Sequence, residues 1–361
     1  MADIKLVLED GSEYAGQSFG YKGSTAGEVV FNTAMTGYPE SLTDPSYKGQ
    51  ILVATCPIIG NYGIPGDEKS ENGLPVWFES DCIHISALVV TDYTEQYSHW
   101  SACKSLGEWM NENRIPGITG VDTRAITKRL REKGTMLGKI VYRNADIPFY
   151  DPYTDHLVKM VSCREKKVYG NGQYRILLVD CGVKFNIIRD LVASDATVVR
   201  VPWDYDFLQE EYDGLFISNG PGDPVSCKAT IEHLSKAFER NEPIMGICLG
   251  NQLMGLAANA KTYKLKYGHR SHNQPVQQAG SSIAFITAQN HGFAIDYSTL
   301  PDEWEPLYLN LNDRTNEGIR HKTKPFFSAQ FHPEASGGTT DTEFLFGVFM
   351  EEVRKYRNRG K

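Results

Sequence analysis

No run in these 361 residues approaches the roughly 18 consecutive apolar positions that a membrane-crossing helix needs, so membrane proteins of that kind are excluded. Met1-Ala2-Asp3-Ile4-Lys5 leads straight into a strand pattern, with neither the apolar stretch of a signal peptide nor an Arg-rich transit segment. Cysteine is sparse: seven residues, an odd number, without a C-x-x-C pair, which speaks against a disulfide framework or a zinc site and for a reducing compartment. Cytosol is the expected location, or the mitochondrial matrix if a transit peptide has been removed. Positive charge is also short. With 37 Lys and Arg against 45 Asp and Glu the net charge is −8, which leaves no basic surface for nucleic acid or anionic membrane. The one basic cluster, Arg354, Lys355, Arg357, Arg359 and Lys361, reads as dipole complementation and a solvated tail on a last helix. Nucleotide fingerprints are missing too. There is no G-x-G-x-x-G, and Gly134-Thr135-Met136-Leu137-Gly138-Lys139 is one residue short between its glycines, with Ile140 where a metal-binding hydroxyl belongs. No cofactor and no metal are therefore expected in this chain; if the overall reaction consumes ATP, another polypeptide binds it.

A chain of this length with 41% hydrophobic residues fills two cores. Residues 1–150 look sheet-rich, with strand patterns at Ile4 to Leu8, Glu13 to Gly16, Glu28 to Thr33, Gln50 to Ala54 and Ala87 to Val90. Helical patterns run over Ser101 to Asn113 and over Thr123 to Lys133, the latter between Asp122 as N-cap and Gly134 as stop. The stretches 36–47 and 59–63 read as ordered loops. Alternation fails over 151–173, which reads as the inter-domain connection. From Tyr174 onward strands and helices alternate: strands at Arg175 to Asp180, Thr197 to Val201 and Gly214 to Ser218, helices at Lys184 to Val192 and Thr230 to Arg240. That alternation predicts a doubly wound, mostly parallel α/β domain over 174–361 with its site at the carboxyl ends of the strands.

Three motifs fall at such strand ends. The apolar run Ile244 to Ile247 stops at Cys248, framed by Gly246 and Gly250, and a helical pattern with Leu253, Met254 and Leu256 follows. This is a nucleophile elbow, in which small flanking residues permit the sharp turn that thrusts the central side chain out. A cysteine there meets the N–H groups of a helix start, which favour the attacking thiolate. Ser218-Asn219-Gly220-Pro221-Gly222 follows another strand and offers backbone N–H groups suited to an oxyanion; alone it is equally an ordinary β-turn. Phe331-His332-Pro333-Glu334 follows the strand pattern Pro325 to Gln330 and supplies a base with a carboxylate two residues on, in the chain order nucleophile, His, Glu. His269 and His272, without further ligands, read as loop or surface groups and not as a metal site. Asn290-His291-Gly292-Phe293 reads as a turn after the strand Ile283 to Thr287.

Together the three motifs resemble the class I glutamine amidotransferases, whose glutaminase domains carry a Cys-His-Glu triad, here Cys248, His332 and Glu334. The first half resembles one branch of that class. Ala26-Gly27-Glu28-Val29-Val30-Phe31-Asn32-Thr33, Gly37-Tyr38-Pro39-Glu40, Asp44-Pro45-Ser46-Tyr47, Ile59-Gly60-Asn61-Tyr62-Gly63 and Gly120-Val121-Asp122-Thr123-Arg124 are similar to the small, glutaminase subunit or domain of carbamoyl-phosphate synthetase. The resemblance covers essentially the whole chain. It implies that Ser46, Gly220, Gly222, Leu249, Gln252, Asn290, Gly292 and Phe293 hold L-glutamine, with the N–H groups of Leu249 and the Gly220 region forming the oxyanion hole. Spacing supports Gln252 independently, since it lies one helical turn beyond Cys248. The resemblance further implies hydrolysis of glutamine through a cysteinyl thioester, and delivery of ammonia to a synthetase large subunit or fused synthetase domain that alone carries ATP and Mg. The usual elbow has His where this chain has Asn251. That departure keeps alive an alternative, a weak or inactive glutaminase-like module that stabilises or regulates the synthetase. Other rivals are an amidotransferase with a different acceptor, and a Cys-dependent peptidase or γ-glutamyl hydrolase that needs no partner.

Overall fold

The computed structural model describes residues 3–359, apart from the side chain of Arg359. Met1 and Ala2 of the opening stretch and Lys361 of the basic tail lie outside the described residues. The chain divides into two units, Met1–Leu157 and Val158–Lys361.

The first unit is built on a closed seven-stranded barrel. Its strands are β1 (Ile4–Leu8), β2 (Glu13–Gly20), β3 (Thr25–Asn32), β4 (Gln50–Ala54), β5 (Ala87–Val89), β6 (Pro116–Thr119) and β7 (Met136–Tyr142), in the order β1-β7-β3-β4-β5-β6-β2. Alternation explains β1: Ile4, Leu6 and Leu8 are buried, and Lys5, between them, reaches Glu13 on β2. The residues 134–139 that resemble a phosphate loop enter β7, a strand paired on both sides with β1 and β3. Three helices accompany the barrel. α1 (Tyr38–Thr43) lies in the stretch expected as a loop; Pro39 in its first turn supplies a helical φ and hides the pattern. α2 (Leu106–Glu112) starts later than expected, because Ser105 and Glu108 form a capping box and Ala102–Lys104 instead pairs as a short strand. α3 (Thr123–Lys133) runs as expected from Asp122, whose carboxylate accepts the Ala125 N–H at 2.9 Å, to Gly134.

The second unit carries a ten-stranded sheet. Its strands are β8 (Lys167–Tyr169), β9 (Tyr174–Asp180), β10 (Ala196–Pro202), β11 (Gly214–Ile217), β12 (Ile244–Ile247), β13 (Lys261–Gln278), β14 (Ala284–Asp296), β15 (Trp304–Asn310), β16 (Asn316–His321) and β17 (Phe326–Ala329). They lie in the order β8-β10-β9-β11-β12-β17-β16-β15-β13-β14. The five central strands, β10 to β17 in that order, are parallel; the rest pair antiparallel. Helices α4 (Phe185–Ala193), α5 (Lys228–Ala237) and α6 (Leu249–Ala257) connect or flank the parallel strands, and α7 (Phe344–Arg359) closes the chain. This is the mixed α/β architecture that the strand and helix alternation predicts, with an antiparallel extension it does not. Strand β8 belongs to the stretch 151–173 expected as a connection. Leu177, Val179, Leu215, Ile217, Ile244 and Leu253 sit in the core beneath the elbow. Among the described residues no helix is long and apolar enough to cross a membrane.

Candidate active site

Strand β12 ends at Ile247 and α6 starts at Leu249, so Cys248 alone makes the turn. Its φ of 55° and ψ of −103° lie outside the regions that L-residues favour, which is the strain an elbow requires. The Cys248 N–H donates to the Ala329 carbonyl at 2.8 Å, tying the tip to the end of β17. The glycines have a steric cause. A Cβ on Gly250 would lie 2.3 Å from the Ile217 carbonyl oxygen, and one on Gly246 would lie 2.7 Å from Gly250.

The chain leaves β17 and delivers His332 and Glu334 to the same end of the sheet. His332 Nδ1 and Glu334 Oε1 are 2.6 Å apart, and both residues are buried. Burial works against a charge on His332, but the Glu334 carboxylate and the Cys248 sulfur outweigh it and hold the imidazole pKa above its ordinary value. For Glu334 burial works upward, and the charges of Lys184 and His332 overcome it, pulling the carboxyl below its usual range. The Lys184 ammonium donates to the same Oε1 at 2.9 Å. Cys248, His332 and Glu334 are thus brought together at one end of the sheet.

The expected glutamine-binding residues divide into those grouped around Cys248 and one in the first unit. Gly220 lies between the residue that follows β9 and the start of α6: a Cβ there would fall 2.1 Å from the Cys181 carbonyl oxygen and 2.9 Å from the Leu249 side chain. Gly222, two residues on, has a φ of 91°. Asn290, Gly292 and Phe293 do not form a turn. They lie inside β14, and the bulges opposite them in β13, together with their polar and glycine content, erase the alternation that would mark a strand. The Cys248 thiol faces the Asn290 carbonyl at 3.7 Å, and a Cβ on Gly292 would meet Arg270 at 3.4 Å. Gln252 Nε2 donates to the Phe293 carbonyl at 2.9 Å and to Gln330 Oε1 at 3.1 Å. Ser46, in the first unit, is buried in the turn Pro45–Tyr47, where its N–H donates to Asp44 at 2.9 Å.

Several participants are not among the residues singled out in the sequence. Lys184 precedes α4 and its N–H donates to the Asn219 side chain at 3.0 Å, so one residue links the Gly220 loop to Glu334. Asn186 donates its side-chain amide to the Glu334 carbonyl. Gln330 receives the amides of both Gln252 and Asn251. Asn251, where the usual elbow has His, is fully buried: its Nδ2 donates to Gln330 at 2.9 Å and its Oδ1 accepts from Ser328 at 2.7 Å. Only the strand-end position of Gln330 hinted at any of this.

His269 and His272 are neither loop nor surface groups. Both lie inside β13, His269 buried and His272 half-buried, because that strand runs on through its bulges. His269, His291 and Glu317 form the one group of three among the described residues whose donor atoms are close enough to share a metal ion, all within 4.8 Å. Those atoms are engaged with protein partners: His269 with Asp313 at 2.9 Å and Glu317 at 3.3 Å, and His291 with the Phe293 carbonyl at 2.8 Å. Burial pulls the His269 pKa down, but Asp313 and Glu317 more than reverse that and lift it to about 9.

Residues 6–140 match the family described as carbamoyl-phosphate synthase small chain, CPSase domain, and residues 177–352 match glutamine amidotransferase class-I. The sequence is 49% identical over 362 residues to the carbamoyl phosphate synthase arginine-specific small chain of Aspergillus oryzae, covering 98% of this chain and 80% of that one. It is 53% identical over 355 residues to the multifunctional protein CAD of Squalus acanthias, and 52% identical over 356 to the mitochondrial, ammonia carbamoyl-phosphate synthase of Aquarana catesbeiana. Each of those matches takes in 97% of this chain, which spans only 16% and 24% of the respective relative.

Proposed function

Because the chain belongs to the carbamoyl-phosphate synthase small-chain family, we propose that it hydrolyses L-glutamine through a cysteinyl thioester and passes the ammonia to a carbamoyl-phosphate synthetase partner. The observation that carries this reading is the buried His332–Glu334 pair beside a cysteine at a strained strand-to-helix turn.

The steps use only the residues described. The Cys248 sulfur adds to the γ-carbonyl carbon of glutamine while His332, oriented by Glu334, holds the thiol proton. The N–H groups of Leu249 and the Gly220 loop face the oxygen that becomes negative, and such donors contribute several kcal/mol to lowering the barrier. His332 gives its proton to the amide nitrogen, the C–N bond breaks and ammonia leaves. Water then adds to the thioester, yields its proton to His332, and glutamate departs as the thiol is restored. A synthetase partner combines the ammonia with bicarbonate and ATP, so ATP and Mg belong on that partner. Cytosol is the compartment we propose, and the seven free thiols favour a reducing one.

Gln252 adds a specificity element. A carbonyl oxygen can only accept, so the Gln252 nitrogen must face Phe293; its second N–H goes to Gln330, and its oxygen remains as an acceptor. An acceptor beside the elbow suits the α-ammonium of free glutamine. N-acetylglutamine should therefore lose at least roughly tenfold in kcat/KM, because an acetylated nitrogen brings neither the charge nor the full set of donors. Equal rates for the two compounds would remove Gln252 from this role.

Asn251 does not weaken the catalytic reading, since both ends of its amide are spent inside the core and the base is His332. The direct test is the intact mass of the chain after mixing with glutamine and quenching in acid, beside Cys248→Ser. We expect a γ-glutamyl adduct on the parent alone. Absence of both adduct and glutamate, with the synthetase present, would leave only the regulatory module.

A further inference from the structure

Ala335, Ser336 and Gly337 have φ values of 54°, 40° and 89° in succession, immediately after Glu334. Two adjacent non-glycine residues in the left-handed region persist only where their surroundings dictate the backbone. Here both flanks are fixed on one strand. Upstream, the His332 N–H donates to the Ala288 carbonyl of β14 at 2.9 Å. Downstream, the Thr339 hydroxyl donates to the Ile286 carbonyl at 2.8 Å, and Asp341 accepts the Ile286 N–H at 3.1 Å. β14 is the edge of the sheet, so these two side chains close backbone groups that no further strand pairs. The chain between His332 and Thr339 must therefore double back within a span set by residues 286 and 288.

The side-chain bonds of Glu334 leave its orientation under-determined. His332 and Lys184 both converge on Oε1, while Oε2 is buried without a hydrogen-bond partner among the described residues. A carboxylate gripped through one oxygen can pivot about it. What remains to set its place is the backbone, held before the turn by the Asn186 amide on the Glu334 carbonyl and after it by the clamp on Ile286.

We propose that the Ala335–Ser336–Gly337 turn, clamped to the edge of β14 through Thr339 and Asp341, is a positioning element whose strained backbone presses Glu334 against His332. This rests on the glutaminase reading above. The role proposed for the turn is exercised through the carboxylate that precedes it.

The test is the double variant Ala335→Gly/Ser336→Gly, assayed beside the parent for glutamine hydrolysis across pH and for melting temperature. Glycine adopts positive φ without steric penalty, so the melting temperature should hold or rise. A looser Glu334 should lower kcat roughly tenfold at a KM within about twofold of the parent, the size of effect expected when a general acid–base is misaligned. It should also move the alkaline limb to lower pH, because Glu334 helps keep His332 protonated, while Cys248, Lys184 and the neighbouring His272 stay in place. Asp341→Ala, which frees the clamp and leaves the turn residues untouched, should show the same split between kcat and KM. Unchanged kcat and pH profile in both variants would reduce the turn to a chain reversal, and a fall in the glycine variant's melting temperature would show that it stores no strain. A parent that forms no glutamate would sink the glutaminase reading itself, whereas an active parent with unaltered variants sinks only the positioning role.

Discussion

Glu334 has no solvent to lean on: it is 0% exposed, and its charge is offset by Lys184, 7% exposed, and by His332. Removing one member of such a buried set leaves a charge without compensation, which costs about 3–5 kcal/mol. Lys184→Met should therefore destabilise the second unit by about that amount in urea unfolding and lower glutamine turnover as well. Lys184→Met/Glu334→Gln should recover much of the stability, since no bare carboxylate remains, yet stay inactive because His332 loses its orienting charge. Strictly additive losses of stability would mean that the two residues do not share one ion pair. At this scale the legible residues were those whose chemistry is tied to a local pattern. Cys248 is betrayed by flanking glycines, and His332 by a carboxylate two positions on. Lys184 has no such signature: a lysine before a helix looks like any solvated cation until the fold closes over it.

The same contrast holds for the elements. The parallel strands were readable because continuous apolar runs alternate with amphipathic helices, a pattern that two-sided burial imposes. β13 and most of β14 were not, because His269, Arg270, Ser271, Gln289 and His291 are buried in them among the apolar residues, in a polar network that periodicity cannot register. That network makes the hairpin sensitive to pH. His269 is held at about 9 in the folded chain, against an ordinary value of 6.5, by Asp313 and Glu317. A raised folded pKa means that the native state keeps a proton the unfolded state has lost. The stabilisation is complete below pH 6.5 and fades as pH rises toward 9, by on the order of 3 kcal/mol in total. Unfolding measured from pH 6 to 9.5 should show this decline in the parent and a flatter profile in His269→Gln. Parallel profiles would move the source of the pH dependence elsewhere.

For the whole molecule, each unit has its own apolar cluster, one around Val30, Leu52, Leu88 and Trp109, the other around Leu177, Leu215, Ile244 and Leu253. Composition and the change of pattern near residue 150 made two bodies legible, but a pairing partner cannot be read from a single strand, and so neither the closing of the barrel nor the antiparallel extension was. On the proposed glutaminase reading the purpose of the reaction lies outside the chain, since ammonia released without an acceptor wastes glutamine. The isolated chain should accordingly hydrolyse glutamine slowly, and a carbamoyl-phosphate synthetase partner should raise kcat by roughly tenfold or more, within the range that coupling between sites supplies. Equal rates with and without the partner would defeat this expectation. Rates alone do not separate activation from simple protection of the enzyme, whereas binding does, because coupling between two ligands is reciprocal. If the partner tightens glutamine binding to Cys248→Ser, which cannot consume it, then saturating glutamine must tighten partner binding by the same factor. Partner binding indifferent to glutamine, with glutamine binding equally indifferent to the partner, would confine the partner's effect to the catalytic step.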